Sequence, residues 1–106
     1  MAAARIQLPR EAKRGEIVEV RVVIQHPMET GFRRDPDGRQ LPRNAIHSFA
    51  CRYGGAEVFR ATLSTGIAAN PFLRFFVRAE RSGELELWWL DDAEVEGTAR
   101  AAMVVV

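Results

Sequence analysis

The stretch "IVEVRVVIQ", residues Ile17–Gln25, decides the fold class. Val18, Val20, Val22 and Ile24 fall on one side of an extended chain, and Glu19, Arg21 and Gln25 on the other. Successive side chains of a strand point to opposite faces, so this period of two predicts a half-buried strand. Similar β-branched and aromatic runs lie on either side of it. Arg5–Leu8 precedes Pro9, and Ile46–Tyr53, Ala56–Leu63, Phe72–Glu80, Glu84–Asp91 and Val95–Val105 follow. Between them stand Lys13-Arg14-Gly15, Gly54-Gly55, Gly66 through Asn70-Pro71, and Arg81-Ser82-Gly83. Each is turn chemistry, in which Gly supplies positive φ and Pro fixes φ while withdrawing a donor. No stretch carries a helical period. Seven strands in 106 residues predict an all-β, immunoglobulin-like antiparallel β-sandwich. The Cys–Trp–Cys pattern of antibody domains is absent, so the expectation concerns architecture alone.

Composition bounds the function. A chain of 106 residues is expected to form a single domain, 1–106, around one core. Its 47% hydrophobic and 27% charged content is that of a folding globular chain rather than a disordered one. The net charge is +1, with basic residues interspersed among acidic ones, which argues against nucleic-acid and anionic-lipid partners. The longest purely apolar run, Ala101–Val106, is six residues, and Met1–Gln7 lacks an apolar segment. Neither a membrane span nor a signal peptide is therefore expected. Cys51 is the sole cysteine, which excludes an intrachain disulfide and leaves the redox compartment unread.

The residues offer little catalytic chemistry. His26, His47, Cys51, Met28 and Met103 match the inventory of a copper electron-transfer site. Their spacing does not, because His47 and Cys51, four residues apart on one strand, are separated by ~13 Å. Ser48, Ser64 and Ser82 lack a nucleophile-elbow context, and no phosphate-binding glycine loop or metal-ligand spacing occurs. Cys51, between Phe49 and Tyr53 on one face, reads as a small buried hydrophobe rather than a reactive thiol. His26, before Pro27 at the end of the first long strand, reads as a loop cap or as the partner of a carboxylate such as Glu29. No catalytic residue, cofactor or metal is expected.

Two features point to a partner. His26–Asn44 is one long polar connection, with Asp37-Gly38 making its turn and Pro42 closing it. Ordered loops of that length are either solvated crossovers or interaction segments, and the second is the commoner. The runs Phe72–Glu80 and Glu84–Asp91 predict a hairpin: a three-residue turn at 81–83 pairs Phe76 with Trp88, Phe75 with Trp89 and Val77 with Leu87, and a two-residue turn shifts the register so that Phe76 pairs with Trp89. Alternation puts one aromatic pair on the outer face, with Arg74 and Arg78 at its rim. Trp, Phe and Arg are enriched at interface cores, so that face is expected to bind protein.

Taken in order, "HPMETGFRRD", "DG", "PRNAI", "FACRYGGAEVFRA", "ANPFLRFF", "SG" and "WWLDD" resemble the SoxZ family, the Z subunit of the thiosulfate carrier complex of sulfur oxidation. The resemblance runs from about Arg5 to the C-terminus, and the His26–Gly31 block is its most specific part. It implies an immunoglobulin-like, non-catalytic subunit in a heterodimer with a SoxY-type carrier. That carrier's flexible Gly-Gly-Cys-Gly-Gly arm holds sulfur intermediates covalently and meets the other enzymes of the pathway in passing. It also implies a periplasmic location, reached by co-export with the signal-bearing carrier. The expected partner-binding residues are His26, Met28, Glu29, Thr30, Phe32, Phe76 and Trp88. The alternative is a free-standing binding module that forms a homodimer when alone, with a copper redox protein a distant third.

Overall fold

The computed structural model describes residues 3–106. Its seven strands are β1 (Ala4–Gln7), β2 (Ile17–Ile24), β3 (Ile46–Tyr53), β4 (Ala56–Thr62), β5 (Phe72–Arg78), β6 (Gly83–Asp91) and β7 (Glu96–Met103). They form two antiparallel sheets, ordered β1-β2-β5 and β4-β3-β6-β7. This is the expected all-β sandwich, with each strand bound within two residues of its expected position.

The alternation that marked β2 also sets its packing. Val18, Val20, Val22 and Ile24 are buried, while Arg21 and Val23 face outward. Phe49, Phe59 and Phe75 bridge the two sheets: the Phe59 and Phe75 rings stack at 4.3 Å, and Phe49 meets Phe75 edge-on at 5.9 Å. Offset and edge-on geometries of this kind suit the aromatic quadrupole. Trp89 is fully buried against the other wall of the core and lies over Gly97 of β7, its cross-strand neighbour.

The expected hairpin between β5 and β6 does not form. β5 is an edge strand that pairs only with β2, and β6 pairs with β3 and β7 in the opposite sheet. Phe76 stands opposite Glu19, and Trp88 lies between Ala50 and Thr98. The pairs Phe76–Trp88, Phe75–Trp89 and Val77–Leu87 are therefore corrected. The physical reason is that both strands bury large inward side chains, Phe75 and Val77 from β5 and Leu85, Leu87 and Trp89 from β6. Placed in facing sheets, these side chains close one core. The connection between the strands is held by Tyr53, whose hydroxyl accepts from the amides of Glu80 and Arg81, each at 3.0 Å, and donates to the Arg81 carbonyl.

Candidate functional site

The connection from β2 to β3 is an ordered ribbon rather than a loose crossover. Glu29 and Asn44 exchange both backbone hydrogen bonds, at 2.7 and 3.0 Å, and the Leu41 amide donates to the Arg33 carbonyl at 2.8 Å. At the tip, Asp35 Oδ1 accepts from the amides of Asp37 and Arg39, each at 2.9 Å, and Gly38 turns the chain at φ 81°. Asp37-Gly38 thus makes the expected turn. Near the root, Gly31 adopts φ 90° and lies against Arg43, an approach that a side chain would obstruct.

His26 anchors this ribbon from within the sandwich. It is buried, and its Nδ1 accepts from the Met28 amide at 3.0 Å. The imidazole proton therefore lies on Nε2, which donates to Asp91 Oδ2 at 3.0 Å. The carboxylate partner is Asp91, not Glu29, which instead pairs with Arg33 on the ribbon. Asp91 Oδ1 also accepts from the amides of Ala93 and Val95, closing the β6–β7 turn. Burial alone would raise the Asp91 pKa. The hydrogen bonds from the Val95 amide, His26 and the Ala93 amide outweigh it and hold the carboxyl below its ordinary value. Asn70 adds the third loop, accepting from the His26 amide through Oδ1 and donating its own amide to the His26 carbonyl. One buried histidine thus joins three connections, two through its imidazole and the third through its backbone.

The expected binding residues divide into internal and external ones. His26 and Met28 are core residues, and Met28 Sδ accepts from the Ile46 amide at 3.3 Å. They shape the ribbon's root rather than its surface. Glu29 and Thr30 line a shallow recess of about 410 Å3 with Pro27 and Ala69. Phe32 is 85% exposed, its amide donating to Thr30 Oγ1. Phe76 is 53% exposed on the outer face of β1-β2-β5, whereas Trp88 is half-buried on the outer face of the opposite sheet. The structure therefore brings the ribbon residues together and separates Phe76 from Trp88. Sequence reasoning missed the roles of Tyr53, Asn70 and Asp91. Asp91 alone carried a signal, as an acidic residue ending a strand of apolar alternation.

Cys51 is fully buried between Phe49 and Tyr53, and burial pushes its thiol up to about 11. A thiol so placed is a poor nucleophile at neutral pH. His47 Nδ1 lies 2.7 Å from Ser48 Oγ. Among the described residues, no group of three or more His, Cys, Asp and Glu side chains converges as a metal site would require. Among the described residues, no helix is long and apolar enough to cross a membrane.

The fold is shared with several solved structures. Superoxide reductase (neelaredoxin) from Ignicoccus hospitalis superposes with a TM-score of 0.74 at 20% identity, covering 97% of this chain and 80% of that one. A putative superoxide reductase from Thermotoga maritima gives 0.75 at 17% identity, over 97% and 85%. The sulfur carrier protein SoxY from Chlorobium limicola f thiosulfatophilum gives 0.67 at 14% identity, over 98% and 79%. At these identities the likeness is one of fold. No curated protein matches the chain significantly. Residues 6–102 match the family described as sulphur oxidation protein SoxZ, and the chain belongs to that family.

Proposed function

We propose that this chain is the non-catalytic subunit of a SoxYZ-type carrier complex. It binds and stabilises a SoxY subunit, whose cysteine arm carries sulfur intermediates during thiosulfate oxidation. The observation that carries this reading is the family match over residues 6–102. The chemistry agrees with it: the only thiol is sealed in the core, and the exposed aromatics Phe32, Phe72 and Phe76 are the kind of side chain that anchors protein interfaces. Glu29, Thr30 and Phe32 on the ribbon would meet the carrier or the pathway enzymes that visit its arm. The complex works in the periplasm, where this subunit arrives by co-export with the carrier.

The test is to express the chain with and without a carrier subunit bearing the Gly-Gly-Cys-Gly-Gly arm and to measure masses by size exclusion with light scattering. A one-to-one heterodimer is expected. A chain that stays monomeric or forms only a homodimer in the carrier's presence overturns the reading and favours a free-standing binding module.

A further inference from the structure

We infer that the carrier docks on the outer face of the β1-β2-β5 sheet, presenting an acidic surface with an apolar centre. This rests on the carrier-binding reading above and adds which surface is used and what chemistry it meets.

The register lays out that face in rows. Arg5, Val23 and Phe72 align across the three strands, followed by Gln7, Arg21 and Arg74, then Glu19 with Phe76, and Ile17 with Arg78. Ile17, Val23, Phe72 and Phe76 are 54%, 38%, 56% and 53% exposed. Within the three strands four arginines face a single glutamate, Glu19, which pairs with Arg21, and just past β5 the exposed Glu80 and Arg81 offset each other, so the face has an excess of three positive charges. The whole chain is only +1, so its positive charge is concentrated here and the remainder is net negative. Arg74 lies over the Phe76 ring at 5.7 Å from its centroid, holding cation and aromatic as one unit. Beside Phe76, at the open edge between β5 and β4, Val58, Arg78, Glu80 and Arg81 help to wall a recess of about 310 Å3, room for a partner side chain.

The opposite outer face is built differently. Glu57, Arg52, Glu86 and Arg100 alternate in sign across β4-β3-β6-β7, so the charges are answered within the sheet. Trp88 sits half-buried in the neighbouring row, between Ala50 and Thr98. A neutralised ladder attracts no charged partner, whereas the β1-β2-β5 face requires one. A second copy of this chain is a poor occupant, because two faces of like charge repel. Nucleic acid and anionic lipid are poor ones too, since four arginines interrupted by two phenylalanines give far less phosphate neutralisation than the ~6–10 contacts of such binders. An acidic protein surface with an apolar centre satisfies both the arginines and the aromatics.

The test uses full-length chain and carrier. Affinity and association rate are measured for wild type, Phe76→Ala, the double variant Arg74→Glu/Arg78→Glu, and Arg100→Glu on the opposite face, each checked for an unchanged melting profile. Phe76→Ala is expected to weaken binding about 30-fold. The double reversal is expected to weaken it at least as much, with an association rate that loses its salt dependence. Arg100→Glu should bind within about twofold of wild type. If the sheet variants bind normally while Trp88→Ala or Phe32→Ala weakens the complex, the docking face is wrong and the carrier reading stands. If wild type does not bind the carrier at all, both fall. If Arg74→Glu/Arg78→Glu abolishes sedimentation with phosphatidylglycerol vesicles but leaves carrier binding intact, the face belongs to a membrane and the inference is overturned.

Discussion

Gly97 shows how much one missing side chain determines. The Trp89 indole occupies the space where a Cβ at position 97 would stand, so the tryptophan is buried only because its β7 neighbour is glycine. Gly97→Ala is expected to cost about 3 kcal/mol, read as a lower urea midpoint with an unchanged slope, because overpacking a rigid ring forces it off its rotamer. Asp91 ties stability to pH. Its carboxyl is held below the ordinary value in the folded protein, so its contribution is full at neutral pH. That contribution is lost as pH falls below about 4 and through the lower folded value. Asp91→Asn should destabilise the protein at pH 7 and flatten its acid-unfolding curve; an acid limb as steep as wild type would remove Asp91 from the account. Individual residues were legible where burial follows from alternation, as with Cys51 between Phe49 and Tyr53. They were not legible where a role depends on three loops converging. Nothing near His26 in the chain indicates that its carboxylate lies at position 91.

Strand positions could be read because a period of two is local, whereas strand partners depend on which core the inward side chains fill. Arg81-Ser82-Gly83 carries the chemistry of a tight turn. The same residues serve a step between sheets once the Tyr53 hydroxyl satisfies the backbone there. The misjudged pairing of β5 with β6 also put Phe76 and Trp88 on one surface, so the expectation of a single aromatic face followed from the error in topology. The ribbon was legible as a long polar connection with an Asp-Gly turn, but its ladder was not, since Glu29 and Asn44 pair without any apolar alternation. Its stability is local. Gly31→Ala, at φ 90° with Arg43 Cβ 3.1 Å from the new methyl, is expected to loosen the ribbon alone. Hydrogen exchange at the amides of Asp35, Leu41 and Asn44 should accelerate about tenfold, while the amides of β2 and β3 keep their protection. Equal acceleration in the strands would mean that ribbon and sandwich open together.

The whole molecule is long and narrow, 57 Å by 20 Å by 20 Å, about twice the ~26 Å of an eight-residue strand. Its connections at residues 25–45, 63–71 and 79–82 each pass from one sheet to the other, so the two pairings at the centre of the sheets, β2 with β5 and β3 with β6, join distant parts of the chain. Such topologies fold slowly and leave strand edges uncovered meanwhile. β5 is one of those edges, and along its outer side Phe72, Arg74, Phe76 and Arg78 alternate. Without the arginines, that strand would present an aromatic ribbon with unpaired backbone, the ordinary seed of edge-to-edge aggregation. With a charge at every second outward position, stacking one copy on another brings like charges together at each step. The same alternation thus acts as a gatekeeper for the subunit while it is alone, keeping an apolar surface soluble until something of opposite charge covers it.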